Sequence, residues 1–283
     1  MMSKSYILSI DQGTSGTKAI IFDAYGKVVI KTTAPLKSYY PESSFVEQDP
    51  QEIYQSVLNA VQSCIKEFRA QFPGEESSIV SCGISNQRET FVVWDKNGNP
   101  LHNAVVWQCK RSVAVCELLK NNDFESTVNS RTGLTIDPYF SATKVIWLNE
   151  NNANVKSAIR NGEAFFGTVD TWLLYKLTNG KSYKTEYTNA SRTLFYNIYT
   201  LEWDKTLLKA FGLENLNLPK VTFSSDHFGD TTFDGAFKNA LPITGMIGDS
   251  QAAFFGEECF SNGMAKATLG TGSSILYNAE NLS

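Results

Sequence analysis

Apolar and polar residues alternate along the first 35 positions of the chain. An apolar run at residues 6–10 ends at Asp11, and two further runs, at 18–22 and 28–33, flank the turn Tyr25-Gly26. Period-two alternation interrupted by glycine and small polar residues is typical of β-strands joined by tight turns. The pattern therefore predicts three consecutive strands.

The periodicity changes to that of a helix at Asp49. This residue suits the N-cap, Pro50 suits the first helical position, and the apolar residues that follow recur on one helix face. They are Ile53, Val57, Ala60, Val61, Cys64, Ile65 and Phe68.

Shorter apolar runs continue the mixture of strands and helices. They predict strands at 79–85, 91–94, 103–107, 165–169 and 243–248, and helices at 112–119, 141–148, 170–177 and 251–255. Ser141 is the expected N-cap of its helix, and irregular structure is expected at 188–204. The last predicted element is a hairpin at 265–277, whose turn contains Gly270, Thr271, Gly272 and Ser273. The chain is therefore placed in the α/β class.

Composition narrows the range of functions. The 283 residues are 42% hydrophobic and 12% aromatic, enough for a packed core in one large domain or two smaller ones. The formal net charge is -4 and the basic pair Lys110-Arg111 is not extended, which argues against nucleic-acid binding.

No apolar run approaches the roughly 20 residues that span a bilayer, and no signal-peptide pattern opens the chain. We expect no membrane insertion and a cytoplasmic location. Five scattered cysteines and two histidines predict no structural zinc site.

The turn after the first strand has the composition of an anion-binding loop. Asp11 is followed by Gln12-Gly13-Thr14-Ser15-Gly16-Thr17-Lys18, which offers backbone N–H groups, hydroxyls and one ammonium. Asp11 could hold Mg²⁺ on a phosphate bound there. An ordinary hairpin turn is the alternative. The spacing matches neither GxxxxGK[ST] nor GxGxxG, so it supports neither a Walker-type site nor a Rossmann dinucleotide site.

Two other polar stretches follow predicted strands. Asp249 lies at the start of a helix, where it could accept the proton of an attacking hydroxyl or serve only as a cap. Arg88 and Glu89 follow another strand, and Trp107 and Tyr139 could complete a pocket for a polyol. Hydroxyl groups need donors and acceptors, while the carbon chain needs an apolar wall. A surface ion pair and ordinary core packing are the alternatives.

Together these stretches resemble the FGGY carbohydrate kinases, and within that family the glycerol kinase branch most. The resemblance runs from Tyr6 to the end of the chain. It rests on SIDQGT at 9–14, VEQDP at 46–50, ISNQRET at 84–90, AVVWQC at 104–109, IDPYFS at 136–141, FGTVDTWL at 166–173, YTNASRT at 187–193 and LGTG at 269–272. It implies an actin-like, ribonuclease-H-type fold in which two α/β domains close on ATP and the acceptor.

The resemblance also implies a role for each candidate residue. The reaction is the ATP-dependent, in-line phosphorylation of a small polyol, with glycerol to glycerol 3-phosphate as the first choice, and Asp249 is the catalytic base. Mg²⁺ is assigned to Asp11 and Asp249. The nucleotide phosphates are assigned to Gly13, Thr14, Ser15, Lys18, Gly270 and Thr271. The acceptor is assigned to Arg88, Glu89, Trp107, Tyr139, Asp249 and Ser250.

Three residues depart from the glycerol kinase pattern. Lys18 stands where Arg is usual, Ser250 where Gln is usual, and Ser274 where an aromatic residue is usual. The two serines remove bulk from the acceptor side. Erythritol, a ketose or a sugar acid is therefore the alternative acceptor.

The resemblance predicts an incomplete second domain. Residues 1–248 would form the acceptor and phosphate domain, and 249–283 would begin the nucleotide-binding domain, of which only the first hairpin is present. We expect the 283 residues to be inactive alone, and a non-catalytic polyol-binding fragment is the other alternative. Assembly as a homodimer or homotetramer is expected from the resemblance.

Overall fold

The computed structural model describes residues 5–121, 124–269 and 273–279. The strands are β1 (Tyr6–Gly13), β2 (Gly16–Asp23), β3 (Val28–Pro35), β4 (Glu47–Gln48), β5 (Ile79–Asn86), β6 (Phe91–Trp94), β7 (Ala104–Val105), β8 (Phe165–Thr168), β9 (Lys184–Glu186), β10 (Tyr196–Asn197), β11 (Glu202–Trp203), β12 (Lys220–Thr222), β13 (Ser225–Thr231), β14 (Leu241–Gly248), β15 (Ala265–Thr268) and β16 (Ser274–Tyr277). The α-helices are α1 (Pro50–Gln71), α2 (Val113–Asn121), α3 (Glu125–Thr132), α4 (Ser141–Asn151), α5 (Ala153–Arg160), α6 (Val169–Leu177), α7 (Tyr187–Ala190), α8 (Lys205–Ala210) and α9 (Asp249–Gly256).

The largest sheet has six strands in the order β13-β14-β5-β1-β2-β3. Its central strands β1, β5 and β14 are parallel, and β2, β3 and β13 join them in antiparallel pairs. In this register Gln12 lies beside Asn86, and Asn86 lies beside Gly248. The carboxyl ends of three parallel strands therefore meet at one edge of the sheet, where ligands of open α/β sheets usually bind.

Two helices cover this sheet. Asp49 Oδ1 accepts a hydrogen bond of 2.7 Å from Gln51 N at the start of α1, as the sequence predicts, and the apolar face of α1 is fully buried against β2 and β3. Trp172 Nε1 on α6 donates to Pro50 O at 2.8 Å, which ties the second helix to the first. The six-stranded sheet, α1 and α6 enclose the first hydrophobic core.

A smaller sheet, β4-β7-β6-β8, separates this core from a second one. Val92 and Trp94 pack in the first core, whereas Phe91 and Val93 pack in the second with residues of α2 to α5 and α8. Since successive side chains of a strand point to opposite faces, β6 is buried on both faces. That is why the sequence of β6 is continuously apolar.

A buried carboxylate lies at the start of α6. Asp170 has no exposed surface and accepts hydrogen bonds from the hydroxyls of Thr168 and Thr185, the latter at 2.6 Å. Burial is the largest influence on this group and raises the pKa of Asp170 to about 7.

Some predicted elements differ from those observed. Ser141 is not an N-cap: α4 begins at Ser141 itself, Phe140 occupies the cap position without a side-chain cap bond, and Ser141 Oγ donates to Glu89 O at 2.9 Å. The segment predicted as irregular contains α7, β10 and β11. No apolar periodicity predicts α3, because only Val128 and Thr132 of this helix are buried.

Among the helices in the described part of the chain, none combines the length and the apolarity needed to cross a membrane.

Candidate functional site

A cleft of about 560 Å³ opens where β1, β5 and β14 end. It brings together all six residues predicted for the acceptor and some residues that were not predicted. The lining includes Thr14, Gln87, Arg88, Glu89, Trp107, Tyr139, Arg192, Asp249, Ser250, Gln251, Thr268, Ser273, Ser274, Ile275 and Leu276.

Arg88 is the centre of the polar side of the cleft. It follows β5, is 6% exposed, and lies with Nε 3.3 Å from Asp249 Oδ1, while Nη2 donates to Ser250 Oγ at 3.0 Å. The Asp249 side chain is 44% exposed and begins α9, a position that favours negative charge. A Cβ at Gly248 would lie 2.5 Å from Arg88 Cδ, so Arg88 reaches this position only because residue 248 is glycine.

Glu89 is buried and held from two sides. Its side chain accepts a hydrogen bond of 2.6 Å from Arg192 Nε, and its backbone carbonyl accepts the bond from Ser141. Its φ of 60° is in the left-handed region, which costs about 1–3 kcal/mol for a residue other than glycine. These two bonds hold Glu89 in this conformation, and the residue lines the cleft.

Two aromatic rings form the apolar side. The Trp107 and Tyr139 ring centroids lie 5.6 Å apart at an interplanar angle of 72°. Trp107 Nε1 donates to Thr14 Oγ1 at 3.0 Å, which connects this wall to the turn between β1 and β2. Burial, opposed in part by nearby arginines, raises the pKa of Tyr139, so its phenol stays a hydrogen-bond donor at neutral pH.

The predicted phosphate turn lies at the same edge of the sheet. Asp11 accepts hydrogen bonds from Lys18 Nζ at 2.9 Å and from Ser85 Oγ at 3.0 Å. Gly13 ends β1, and Ser15 is exposed at the tip of the turn. Gly270 and Thr271, predicted for the same role, lie outside the described residues.

The donor set at this turn fits Mg²⁺ better than a metal that needs a full protein cage. No cluster of three or more His, Cys, Asp or Glu side chains suited to a metal occurs in residues 5–121, 124–269 and 273–279. Mg²⁺ is commonly held by one or two carboxylates, with water and substrate phosphates completing its octahedron. Asp11 offers one such carboxylate beside the phosphate turn.

Arg192 is a charged pocket residue that sequence reasoning missed. It lies 103 positions from Glu89, and its guanidinium is 5.7 Å from the Tyr139 ring centroid and 4.8 Å from that of Phe140. The YTNASRT stretch that contains it was part of the family resemblance, but nothing in its local pattern pointed to Glu89.

A larger pocket of about 780 Å³ lies elsewhere, between the end of α1 and β14. Its lining includes the ion pair of Arg69 and Glu76, at 2.6 Å, and none of the candidate residues. The candidate residues that the structure describes all lie away from this larger pocket, so the smaller cleft is the better candidate for the functional site.

Known proteins resemble this chain in both sequence and structure. A sequence model described as the FGGY family of carbohydrate kinases, N-terminal domain, matches residues 6–256. Glycerol kinase from Halothermothrix orenii is 45% identical over 278 residues, which are 98% of this chain and 55% of that protein. The crystal structure of Plasmodium falciparum glycerol kinase with ADP superposes with a TM-score of 0.90 at 35% identity and covers 97% of this chain and 54% of that one.

A more distant structure shares the fold. Ligand-bound xylulose kinase from Lactobacillus acidophilus superposes with a TM-score of 0.84 at 22% identity, over 96% of this chain and 54% of that one. The expected actin-like α/β fold is confirmed by these superpositions. The chain spans about half the length of the relatives it matches.

Proposed function

Since the chain belongs to the FGGY family of carbohydrate kinases, we propose that its cleft binds a small polyol and that the whole protein phosphorylates this polyol with ATP. Glycerol is the first-choice acceptor, because the glycerol kinase of Halothermothrix orenii is 45% identical. The observation that carries the proposal is that one cleft is lined by the charged residues Arg88, Glu89 and Asp249 and by the rings of Trp107 and Tyr139.

Each group has a task in this proposal. Arg88 donates hydrogen bonds to acceptor hydroxyls and Glu89 accepts them, while the two rings cover the carbon chain. Asp249, partly exposed and adjacent to Arg88, receives the proton of the attacking hydroxyl. Transfer of the phosphoryl group depends mainly on in-line positioning, so the fixed geometry of these residues matters more than the strength of the base.

The phosphate side is proposed for the turn after β1. Gly13, Thr14, Ser15 and Lys18 would bind the nucleotide phosphates together with Gly270 and Thr271. Asp11 and Asp249 would hold Mg²⁺, which supplies positive charge to offset that of the transferred phosphate. The ion pair of Lys18 and Asp11 supports this, because Lys18 can turn to a phosphate when Mg²⁺ takes its place.

A longer acceptor is the second candidate. Ser250 and Ser274 both line the cleft. Small side chains at these positions leave room for erythritol, a ketose or a sugar acid, and their hydroxyls offer extra hydrogen bonds.

We also propose that residues from Asp249 onward begin a second domain. No residue of α9 is buried, and large apolar side chains are exposed from α9 through the connecting segment to the last hairpin. They are Phe255, Phe260, Leu269, Ile275 and Tyr277. Apolar surface of this extent usually faces another part of a protein. We therefore expect acceptor binding by the 283 residues, but weak or no turnover of ATP.

Calorimetric titration of glycerol, erythritol and Mg·ATP into the purified chain tests the proposal. We expect glycerol to bind, Arg88→Ala to abolish binding, and Asp249→Asn to weaken it. Lys156→Met, on the exposed side of α5, is the matched control and should bind as the parent does. Tighter binding of erythritol would favour the second candidate, and no binding of any polyol would contradict the proposal.

A further inference from the structure

The first turn of α4 is buried although it is mostly polar. Ser141, Ala142, Thr143 and Lys144 all have no exposed surface. A helix start of this composition is ordinarily solvated, because its free N–H groups and polar side chains can bond to water. Here the polar groups bond instead to segments that carry the cleft.

Those bonds reach several separate parts of the chain. Ser141 Oγ donates to the carbonyl of Glu89, and Ala142 N donates to the carbonyl of Thr193 at 2.9 Å, directly after Arg192. Lys144 Nζ donates to the carbonyl of Tyr139 at 2.8 Å and lies 3.5 Å from that of Trp107. One helical turn thus contacts the backbone at or beside most of the residues that form the acceptor side.

Lys144 is the charged member of this turn. Both of its hydrogen-bond partners are carbonyl oxygens, and a buried ammonium held in this way fixes the two backbone segments relative to each other. Trp107 and Tyr139 are 32 positions apart in the sequence and meet at the cleft through their rings.

We infer that Lys144 is a positioning residue, which holds the backbone of Trp107 and Tyr139 so that their rings form the apolar wall of the acceptor site. The role of the two rings in an acceptor site rests on the proposed function, whereas the link between Lys144 and the backbone of Trp107 does not.

Proton loss from Lys144 should weaken its bonds to the carbonyls of Trp107 and Tyr139, and this change can be measured. Burial, the largest influence, and the guanidinium of Arg111 both act to lower the pKa of Lys144, which is about 8 once all its neighbours have acted. Glu89, Cys109 and Asp137, which face the ammonium from three other segments, act in the opposite direction. The ammonium is therefore charged below pH 8 and neutral above it, and its bonds to both carbonyls weaken as the pH rises through that value.

Fluorine NMR of the chain labelled with 5-fluorotryptophan tests the inference without any ligand. The signal of Trp107 is assigned by its loss in Trp107→Phe. We expect it to shift with a midpoint near pH 8, and to lose this transition in Lys144→Met while Lys156→Met keeps it. A Trp107 signal without a transition near pH 8 in the parent chain, or the same midpoint in Lys144→Met, would overturn the inference. The parent titration decides the matter even where Lys144→Met does not fold.

Acceptor titrations form the second arm. At pH 7 we expect Lys144→Met to bind glycerol at least about tenfold more weakly than the parent, since small displacements of binding groups have large effects. Parent affinity should fall as the pH rises through 8. If the parent binds no polyol while the Trp107 transition is present, the proposed function fails and the positioning role stands. If the parent binds polyol but shows no Trp107 transition, the proposed function stands and the positioning role of Lys144 fails.

Discussion

Replacing Gly248 by alanine should damage the acceptor site through one defined collision. The backbone at Gly248 has φ −62° and ψ 143°, values that any residue adopts, so alanine brings no conformational cost of its own. A Cβ at this position would lie 2.5 Å from Arg88 Cδ and 2.8 Å from Arg88 Cγ. These atoms belong to the middle of a buried side chain whose head is bonded to Asp249 and Ser250, so Arg88 must move as a whole.

The size of the effect follows from what Arg88 loses. Overpacking a buried site costs about 1–3 kcal/mol, and for a chain of this size each kcal/mol lowers the Tm by roughly 2–4 °C. Moving the guanidinium also removes a hydrogen bond of a charged group to the acceptor, worth about 1.5–3 kcal/mol. Glycerol affinity should therefore fall by a factor of about 10 to 150.

Gly83→Ala is the matched control. A Cβ there would lie 3.7 Å from Gly245 O, an ordinary contact in the same sheet. Thermal unfolding and calorimetric titration of the two variants should separate them, with loss of affinity in Gly248→Ala only. Equal glycerol affinity in Gly248→Ala and the parent would refute the role given to Arg88.

Three further substitutions give distinct signatures. Arg192→Ala leaves the buried carboxylate of Glu89 unpaired, so we expect a loss of about 3–5 kcal/mol in the free energy of unfolding by urea titration; an unchanged unfolding midpoint would contradict the pairing. The pKa of Asp170 is about 7 in the folded chain and about 3.9 in the unfolded chain. The stabilisation that protonated Asp170 gives to the folded state is therefore complete below about pH 3.9 and is lost as the pH rises through about 7. The Tm should fall between pH 5 and 8, and less so in Asp170→Asn; parallel Tm profiles would count against this. Lys18→Met breaks a half-exposed ion pair with Asp11, so Tm should change little while Mg·ATP binding weakens in calorimetry, and full retention of binding would argue against the phosphate turn.

The local sequence pattern predicted the strands and helices that have strong apolar periodicity. It also predicted that candidate polar side chains follow the ends of strands. The helix after Asp49 and the strands ending near Asp11, Asn86 and Gly248 are present. These elements are specified by neighbours in sequence, through alternation, capping and burial of one face. The convergence of the strand ends also follows, because parallel strands share an edge.

The features that could not be predicted from the sequence depend on contacts between residues far apart in the chain. The carboxylate of Glu89 meets Arg192 across 103 positions, and no local pattern marks either as the partner of the other. Ser141 resembles an N-cap, but its hydroxyl is taken by the carbonyl of Glu89 once the two segments pack. Lys144 would be expected at the surface, and its burial depends on carbonyls supplied by two other segments.

The central claim is that an acceptor binds between Arg88 and the aromatic wall. Its most direct test is a crystal structure of the chain with 3-bromo-1,2-propanediol, in which anomalous scattering locates the bromine. The account predicts one bromine peak in the cleft lined by Arg88, Trp107, Tyr139 and Asp249, displaced by excess glycerol. A peak only at another surface, or none at a concentration that calorimetry shows to be saturating, would contradict it.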